Sequence, residues 1–393
     1  MKDQNKNNST KNRVLSTIKQ FGCVSIKDIA TYCSQSIPNV THYVEEMLSE
    51  GLLQESITPV VTNGRKPRLI SLNPAYGYFV GVDLGLLNVF KIGFFSFDGV
   101  RISSSSFKYG KDATAEETIE NVMASIEAQF VELKLDPKRL LYIVISNPGV
   151  VTPETGSIIM SASIAKWRHL PLRTLFCERF DVATKVINDV NLSAIGEKEY
   201  GLGNGYQNFV FIRVGIGLKA GIILKDRLYQ GESCAAGEIG YSVITVEKNN
   251  RHVRIPAEEY LSVPAICARI ADQLEAHPND IFYSLTGGNT ENVTVDNIVK
   301  VLGADSFVCE VIREAGEVFG YVLANLVAAI DIALIIVSGE IERFNNYFFK
   351  PAREVLTEQL VFPPTMLVST LGGDVALLGA FCVGIENFIA SVQ

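Results

Sequence analysis

The residues best suited to chemistry in this 393-residue chain lie in the stretch 214–241, VGIGLKAGIILKDRLYQGESCAAGEIGY. A short apolar strand runs into a Gly-x-Gly turn, returns as a second strand and closes on Ala-Gly-Glu-Ile-Gly. Glycines at 215, 217 and 221 let the backbone approach a ligand closely, as a phosphate-cradling loop requires. Glu238 stands beside that loop as a hydroxyl acceptor. Ile216 and Lys219, however, occupy positions where such a loop wants small or hydroxylated residues. Lys219 has three readings: its ammonium holds an anion, it pairs with an acidic neighbour, or it is an ordinary surface lysine.

A second set of residues is suited to nucleic acid. Ser36, Asn39, Thr41 and His42 fall near the start of an amphipathic helix and offer short donors and acceptors to base edges. Arg65, Lys66 and Arg68, in the run NGRKPR, supply cations for phosphates. The alternative is a small helical domain that binds protein or only packs.

The elements that position these groups follow from periodicity. Residues 12–20 and 26–30 show helical spacing, with Ser25 as an N-cap for the second segment. A third helix starts near Ser36–Pro38 and places Val40, Tyr43, Val44, Met47 and Leu48 on one face before Gly51 stops it. Two strands, around Leu52–Val61 and Leu69–Leu72, flank the basic tip. Helix, helix, turn, helix and hairpin is the order of a winged helix-turn-helix.

From Tyr78 the pattern changes to buried strands alternating with longer helices, which predicts an α/β protein. Strands are expected at 79–83, 91–97, 140–146, 182–187, 209–214, 220–225 and 333–337, with helices at 116–133 and 307–329. Each half opens on a hairpin near glycines, which suggests a duplicated core and two lobes around a cleft.

Composition narrows the classes. Hydrophobic residues make up 47% and charged residues 20%, as in ordinary globular proteins. The polar N-terminus predicts no secretory signal, and the apolar run 321–337, broken by Asn325 and Asp331, reads as a buried helix feeding a strand. Seven cysteines without a C-x-x-C pair suit reduced thiols. A cytoplasmic protein without membrane partners is therefore expected. Residues 1–72 carry nine Lys/Arg against six Asp/Glu, the remainder 26 against 37, so a mildly basic head sits on an acidic body.

Several motifs occur in order: Asn147-Pro148-Gly149-Val150 with ETG at 154–156, Ile187-Asn188-Asp189-Val190-Asn191 with Gly196-Glu197, the 214–241 stretch, and Leu371-Gly372-Gly373-Asp374 with Gly379-Ala380. With the winged head and its GRKPRLISLNP exit, the chain resembles the ROK (repressor, open reading frame, kinase) family along nearly its whole length. The resemblance implies an N-terminal winged helix-turn-helix followed by a two-lobed actin-like, ribonuclease H-like sugar-kinase fold. The corresponding division is 1–73 for the head, 74–190 plus 371–393 for a small lobe and 191–370 for a large lobe.

Members with a head are sugar-responsive transcription factors, and members without one are sugar kinases. The resemblance therefore implies a regulator, most simply a repressor, of carbohydrate-utilisation genes. It would bind operator DNA as a homodimer or homotetramer and take a sugar or sugar phosphate in the cleft. By the same resemblance Asp189, next to Asn188, matches the catalytic base and hydroxyl ligand. Glu238 matches a second sugar contact and Glu258, in Glu258-Glu259-Tyr260-Leu261-Ser262, a third. Trp167 matches a loop tryptophan near the sugar, or is a core anchor.

Departures from the family pattern sharpen this. The first phosphate loop, Asp-x-Gly-Gly-Thr-Lys in the family, reads Asp83-Leu84-Gly85-Leu86-Leu87-Asn88. The second, Thr-Gly-x-Gly, reads Ile216-Gly217-Leu218-Lys219. Bulk has replaced glycine and hydroxyl in both, so no ATP cofactor and no kinase activity are expected. The family histidine is Tyr241, and the cysteine cluster that follows it in the family is absent from Val246–His252, so no zinc is expected. The family asparagine before the tryptophan loop is Ser163. Tyr241 and Ser163 thus enter the expected sugar site as substitutes. Two other readings stay open: a regulator controlled by a protein with a vestigial cleft, and an ATP-dependent sugar kinase.

Overall fold

The computed structural model describes residues 10–56, 68–86, 89–110, 113–152, 155–160, 170–248 and 251–392. Arg65, Lys66, Ser163 and Trp167 lie outside the described residues. The head comprises α1 (Thr10–Phe21), β1 (Val24–Ser25), α2 (Ile26–Cys33), α3 (Ile37–Ser49), β2 (Leu53–Ser56) and β3 (Leu69–Leu72). The Ser25 side chain accepts from the Asp28 N–H at the start of α2. Pro38 sits in the first turn of α3, where its missing N–H costs nothing. β3 pairs with both β1 and β2 antiparallel, and Lys11 on α1 is ion-paired with Glu46 and Glu50, which fixes α1 against α3.

The first body sheet is built from β4 (Tyr78–Leu86), β5 (Val89–Ser96), β6 (Arg101–Lys108), β7 (Leu140–Asn147) and β10 (Thr184–Asn188), with α4 (Ala115–Glu132) before β7. Between β7 and β10 come the short pair β8 (Val150–Val151) and β9 (Ile158–Met160) and the helix α5 (Leu172–Phe180). α4 opens on a capping box in which Thr114 and Glu117 satisfy each other's backbone. The spatial order is β10-β7-β4-β5-β6, with an antiparallel meander β4-β5-β6 and β7 and β10 added in parallel.

α6 (Asp189–Tyr200) leads to β11 (Phe209–Val214), β12 (Leu218–Leu224) and β13 (Arg227–Tyr229). The hairpin β14 (Val243–Lys248) and β15 (Arg251–Pro256) and the helices α7 (Glu258–Leu261), α8 (Val263–Gln273), α9 (Ile281–Thr286) and α10 (Val295–Val301) follow. α11 (Ser306–Ile330), β16 (Leu334–Ser338), α12 (Asn345–Gln359), β17 (Thr365–Val368) and α13 (Val375–Ser391) complete the chain. The second sheet runs β13-β12-β11-β16-β17, again a meander flanked by two parallel strands. The same topology thus occurs twice, and each meander begins with the hairpin expected from the sequence.

α6 and α13 lie against each other, and α13 packs on β4 and β7. Their crossing is close because Gly196 and Gly379 face the opposing backbone. A Cβ at Gly379 would stand 1.9 Å from the Leu192 carbonyl oxygen, and one at Gly196 would stand 2.3 Å from that of Val375. α13 is apolar and, with its lead-in from Gly372, long enough to cross a membrane, yet most of it is buried inside the protein. At its far end it meets the head. Val14, Leu15 and Ile18 of α1 share one hydrophobic cluster with Phe79, Phe97, Phe381, Ile385 and Ile389.

Candidate functional site

A cavity of about 620 Å³ opens between the two sheets, lined from the first by Asp83, Gly85 and Pro148, from the second by Arg213, Lys219 and Ser338, and from the helices by Asp189, Glu258 and Val375. Asp83 is buried on β4. Its Oδ1 accepts from the Ser146 hydroxyl at 2.7 Å and the Gly85 N–H at 2.9 Å. Burial pushes its carboxyl up from the ordinary range, with the nearby Asp189 adding to the push; Arg213 and the two hydrogen bonds oppose it. Gly85 is required here, since a Cβ would stand 2.9 Å from Asp189 Oδ2 and 3.0 Å from Asp83 Oδ1.

Asp189 is the first residue of α6, where a carboxylate suits the helix dipole. Its Oδ2 takes Arg213 Nη1 at 3.3 Å, while its Oδ1 is buried and has no hydrogen-bond partner within the protein. An orphaned buried carboxylate oxygen on a residue that lines the cavity is a hydrogen-bond acceptor left over by the fold. Glu258 opens α7 and lies against the glycine turns: a Cβ at Gly217 or Gly240 would stand 3.3 or 2.9 Å from its Oε2. Glu238 is half-buried with Oε1 3.9 Å from Lys219 Nζ. Burial raises its carboxyl, with Asp189 and Glu258 adding to the shift and Lys219 opposing it.

The six sugar-site expectations therefore divide. Asp189 and Glu258 line the cavity, and Glu238 is held at its edge by Lys219. Tyr241 is 47% exposed; partial burial raises its phenol, with Glu258 and Glu238 close enough to contribute. Asn188 is engaged within the protein: its Oδ1 accepts from the Val190 N–H and its Nδ2 donates to the Gly149 carbonyl, so the amide caps α6 and holds the Pro-Gly loop. Ser163 is outside the described residues. Arg213 was missed, although a charge inside the apolar strand FVFIRV was a visible signal.

In the head, Ser36 is the exposed N-cap residue of α3 without a side-chain cap bond, and His42 is exposed. Thr41 donates back to the Ile37 carbonyl and Asn39 to Gln35 Oε1. The Arg68 guanidinium is engaged by Glu45 of α3 and Glu55 of β2. That pairing ties the wing to the third helix and raises the arginine further.

Residues 80–386 match the family described as the ROK family. The chain belongs to the ROK family. It is 27% identical over 386 residues to the xylose repressor of Caldicellulosiruptor bescii, covering 96% of this chain and 95% of that one. It is 25% identical over 309 residues to the glucokinase of Thermotoga maritima, covering 77% and 95%. Among solved structures, a ROK family transcriptional regulator, a homologue of the E. coli MLC protein, superposes with a TM-score of 0.81 at 20% identity, over 97% of this chain and 96% of that one. The fold is thereby shared over 97% of the chain.

The residues present do not suit the nucleotide and zinc that the family resemblance implies. Asp83 and Asp189 share the Arg213 cation, Ile216 stands in the second glycine turn with Lys219 on β12 just after it, and Glu340 and Glu342 also line the cavity. Ile216, where a phosphate loop carries a small or hydroxylated residue, does not fit a closely cradled triphosphate. In the zinc segment, the β14–β15 hairpin pairs Glu247 with His252 and contains no cysteine, which does not fit a four-coordinate zinc.

Proposed function

We propose that this protein is a sugar-responsive transcriptional regulator that binds operator DNA through the head and a sugar or sugar derivative in the cleft. The observation that carries the reading is the course of α13. Val375 and Ala376 at its start line the cavity, and Ile385 and Ile389 near its end pack on α1 of the head. One helix, about 25 Å long at 1.5 Å per residue, thus joins both sites. A ligand acts through such a link when it favours one lobe arrangement over another. The repressor similarity over 96% of the chain supports the same reading, and its mode of action is most simply repression.

On this reading residues 1–73 form the DNA-binding unit, 74–190 with 371–393 the small lobe and 191–370 the large lobe. Two copies would present two heads to a two-fold operator, as a homodimer or a higher assembly. A regulator of this kind works in the compartment that holds the DNA. Selection from a random-sequence duplex library with the full chain tests it. Enrichment of a repeated half-site is expected, and retention of DNA without sequence enrichment would refute the reading.

The glucokinase similarity favours one competing reading, a sugar kinase. The charged and bulky residues in both phosphate turns oppose it. An ATP-dependent turnover assay separates the two: none is expected, and turnover abolished by Asp189→Asn would establish the kinase instead.

A further inference from the structure

The third helix of the head, α3, carries no arginine or lysine, and Glu45, Glu46 and Glu50 stand on it or at its end. Two of these carboxylates are spent within the head: Lys11 of α1 reaches Glu46 at 3.2 Å and Glu50 at 3.1 Å. Glu45 is placed differently. Val40, Val44 and Met47 form the buried side of the helix, while Pro38, His42, Glu45 and Ser49 follow one another at helical spacing on its exposed side. Thr41 and His42, two of the expected base contacts, lie one turn before Glu45, so its carboxylate continues the same surface.

Arg68, at the entry to β3, holds this carboxylate. Its Nη1 donates to Glu45 Oε1, its Nη2 stands 3.5 Å from Glu45 Oε2, and its Nε donates to Glu55 Oε1 at 2.8 Å. The fork fixes an otherwise free side chain and leaves it acceptor capacity, since a carboxylate has about four lone-pair sites. The bond to Arg68 also holds the Glu45 carboxyl below the usual range, so it is ionised and only accepts. Two carboxylates against one guanidinium leave this corner negative, and phosphates repel it. Such a surface gains from DNA only where a base offers a proton. In the major groove guanine and thymine present acceptors, and adenine sets the N7 acceptor beside its amino group. Cytosine presents its N4 amino group alone.

We propose that Glu45 reads a cytosine in each operator half-site and that Arg68 positions it. This rests on the head being the DNA-binding unit. Selection from a random-sequence duplex library tests it with the full native chain, Glu45→Ala, Glu45→Gln and Arg68→Lys, thermal unfolding checking that each variant folds. The native motif should prefer cytosine about tenfold or more at one position of each half-site, as a good base contact gives. Glu45→Ala should lose the preference at that position alone, and Glu45→Gln should move it to adenine, whose N6 and N7 suit an amide. On a duplex without the half-site, Glu45→Ala should bind at least as tightly as the native chain, because a repelled charge has gone. A structural role would instead weaken every position and both duplexes together. Arg68→Lys should blunt the cytosine preference in the native chain and change nothing at that position when added to Glu45→Ala. An unaltered motif in both Glu45 variants, or a loss spread evenly over the half-site, would overturn the base contact. An unaltered motif in Arg68→Lys would overturn its positioning role. Enrichment of no motif by the native chain would overturn the DNA reading itself, and the cytosine contact with it.

Discussion

At the residue scale the cleft is a problem of shared charge. Asp83 and Asp189 approach each other across Gly85, and a single guanidinium serves both. The folded state raises the Asp83 carboxyl, chiefly by burial, so the folded chain holds a proton that the unfolded chain releases at about pH 4. Stability from this group is therefore present in acid and lost as pH rises from the unfolded value through the folded one. Asp83→Asn keeps an oxygen for Ser146 and Gly85 and carries no such dependence. Its melting temperature should exceed that of the native chain by a margin that grows from pH 4 to pH 7, and a margin that shrinks would contradict the assignment.

Some of this was legible in the sequence. Asp189 and Glu258 sit in ordered motifs, and both line the cavity. Asn188 stands in the same motif, but a sequence does not reveal whether an amide is spent on a cap and a carbonyl. The sequence is silent in the same way on Arg68, whose two carboxylate partners come from other elements and are placed around it only by the fold.

At the scale of elements, helix starts were the most legible because local side chains set them, as Ser25 does for α2. The edge strand β6, RISSSSFK, escaped sequence reading: its serines give no apolar alternation, and pairing with β5 alone holds it. The α6–α13 crossing could not be read either, since Gly196 and Gly379 are far apart in sequence and meet only through packing. Gly379→Ala should cost about 3 kcal/mol, because its Cβ would meet a backbone carbonyl that cannot step aside. Urea denaturation measures this, and a loss below about 0.5 kcal/mol would show that the crossing has slack.

At the scale of the molecule, the head is docked on the body and not merely tethered to it. Alongside the shared hydrophobic cluster, Lys19 of α1 meets Glu386 of α13 at 3.2 Å. Lys19→Glu sets two like charges there and should loosen the head, giving faster proteolysis between head and body and a smaller effect of ligand on DNA binding. Exchange of both residues, Lys19→Glu with Glu386→Lys, should restore both properties. A single variant that behaves like the native chain would remove this contact from the coupling route. The account as a whole depends on Asp189 and the DNA-binding head acting on one another. Operator affinity, followed by fluorescence anisotropy with and without the sugar that binds the cleft, tests this most directly in the native chain and in Asp189→Ala. The native chain should change its operator affinity on adding the sugar, and Asp189→Ala should bind the operator equally well but ignore the sugar; an undiminished sugar response in Asp189→Ala would contradict the account.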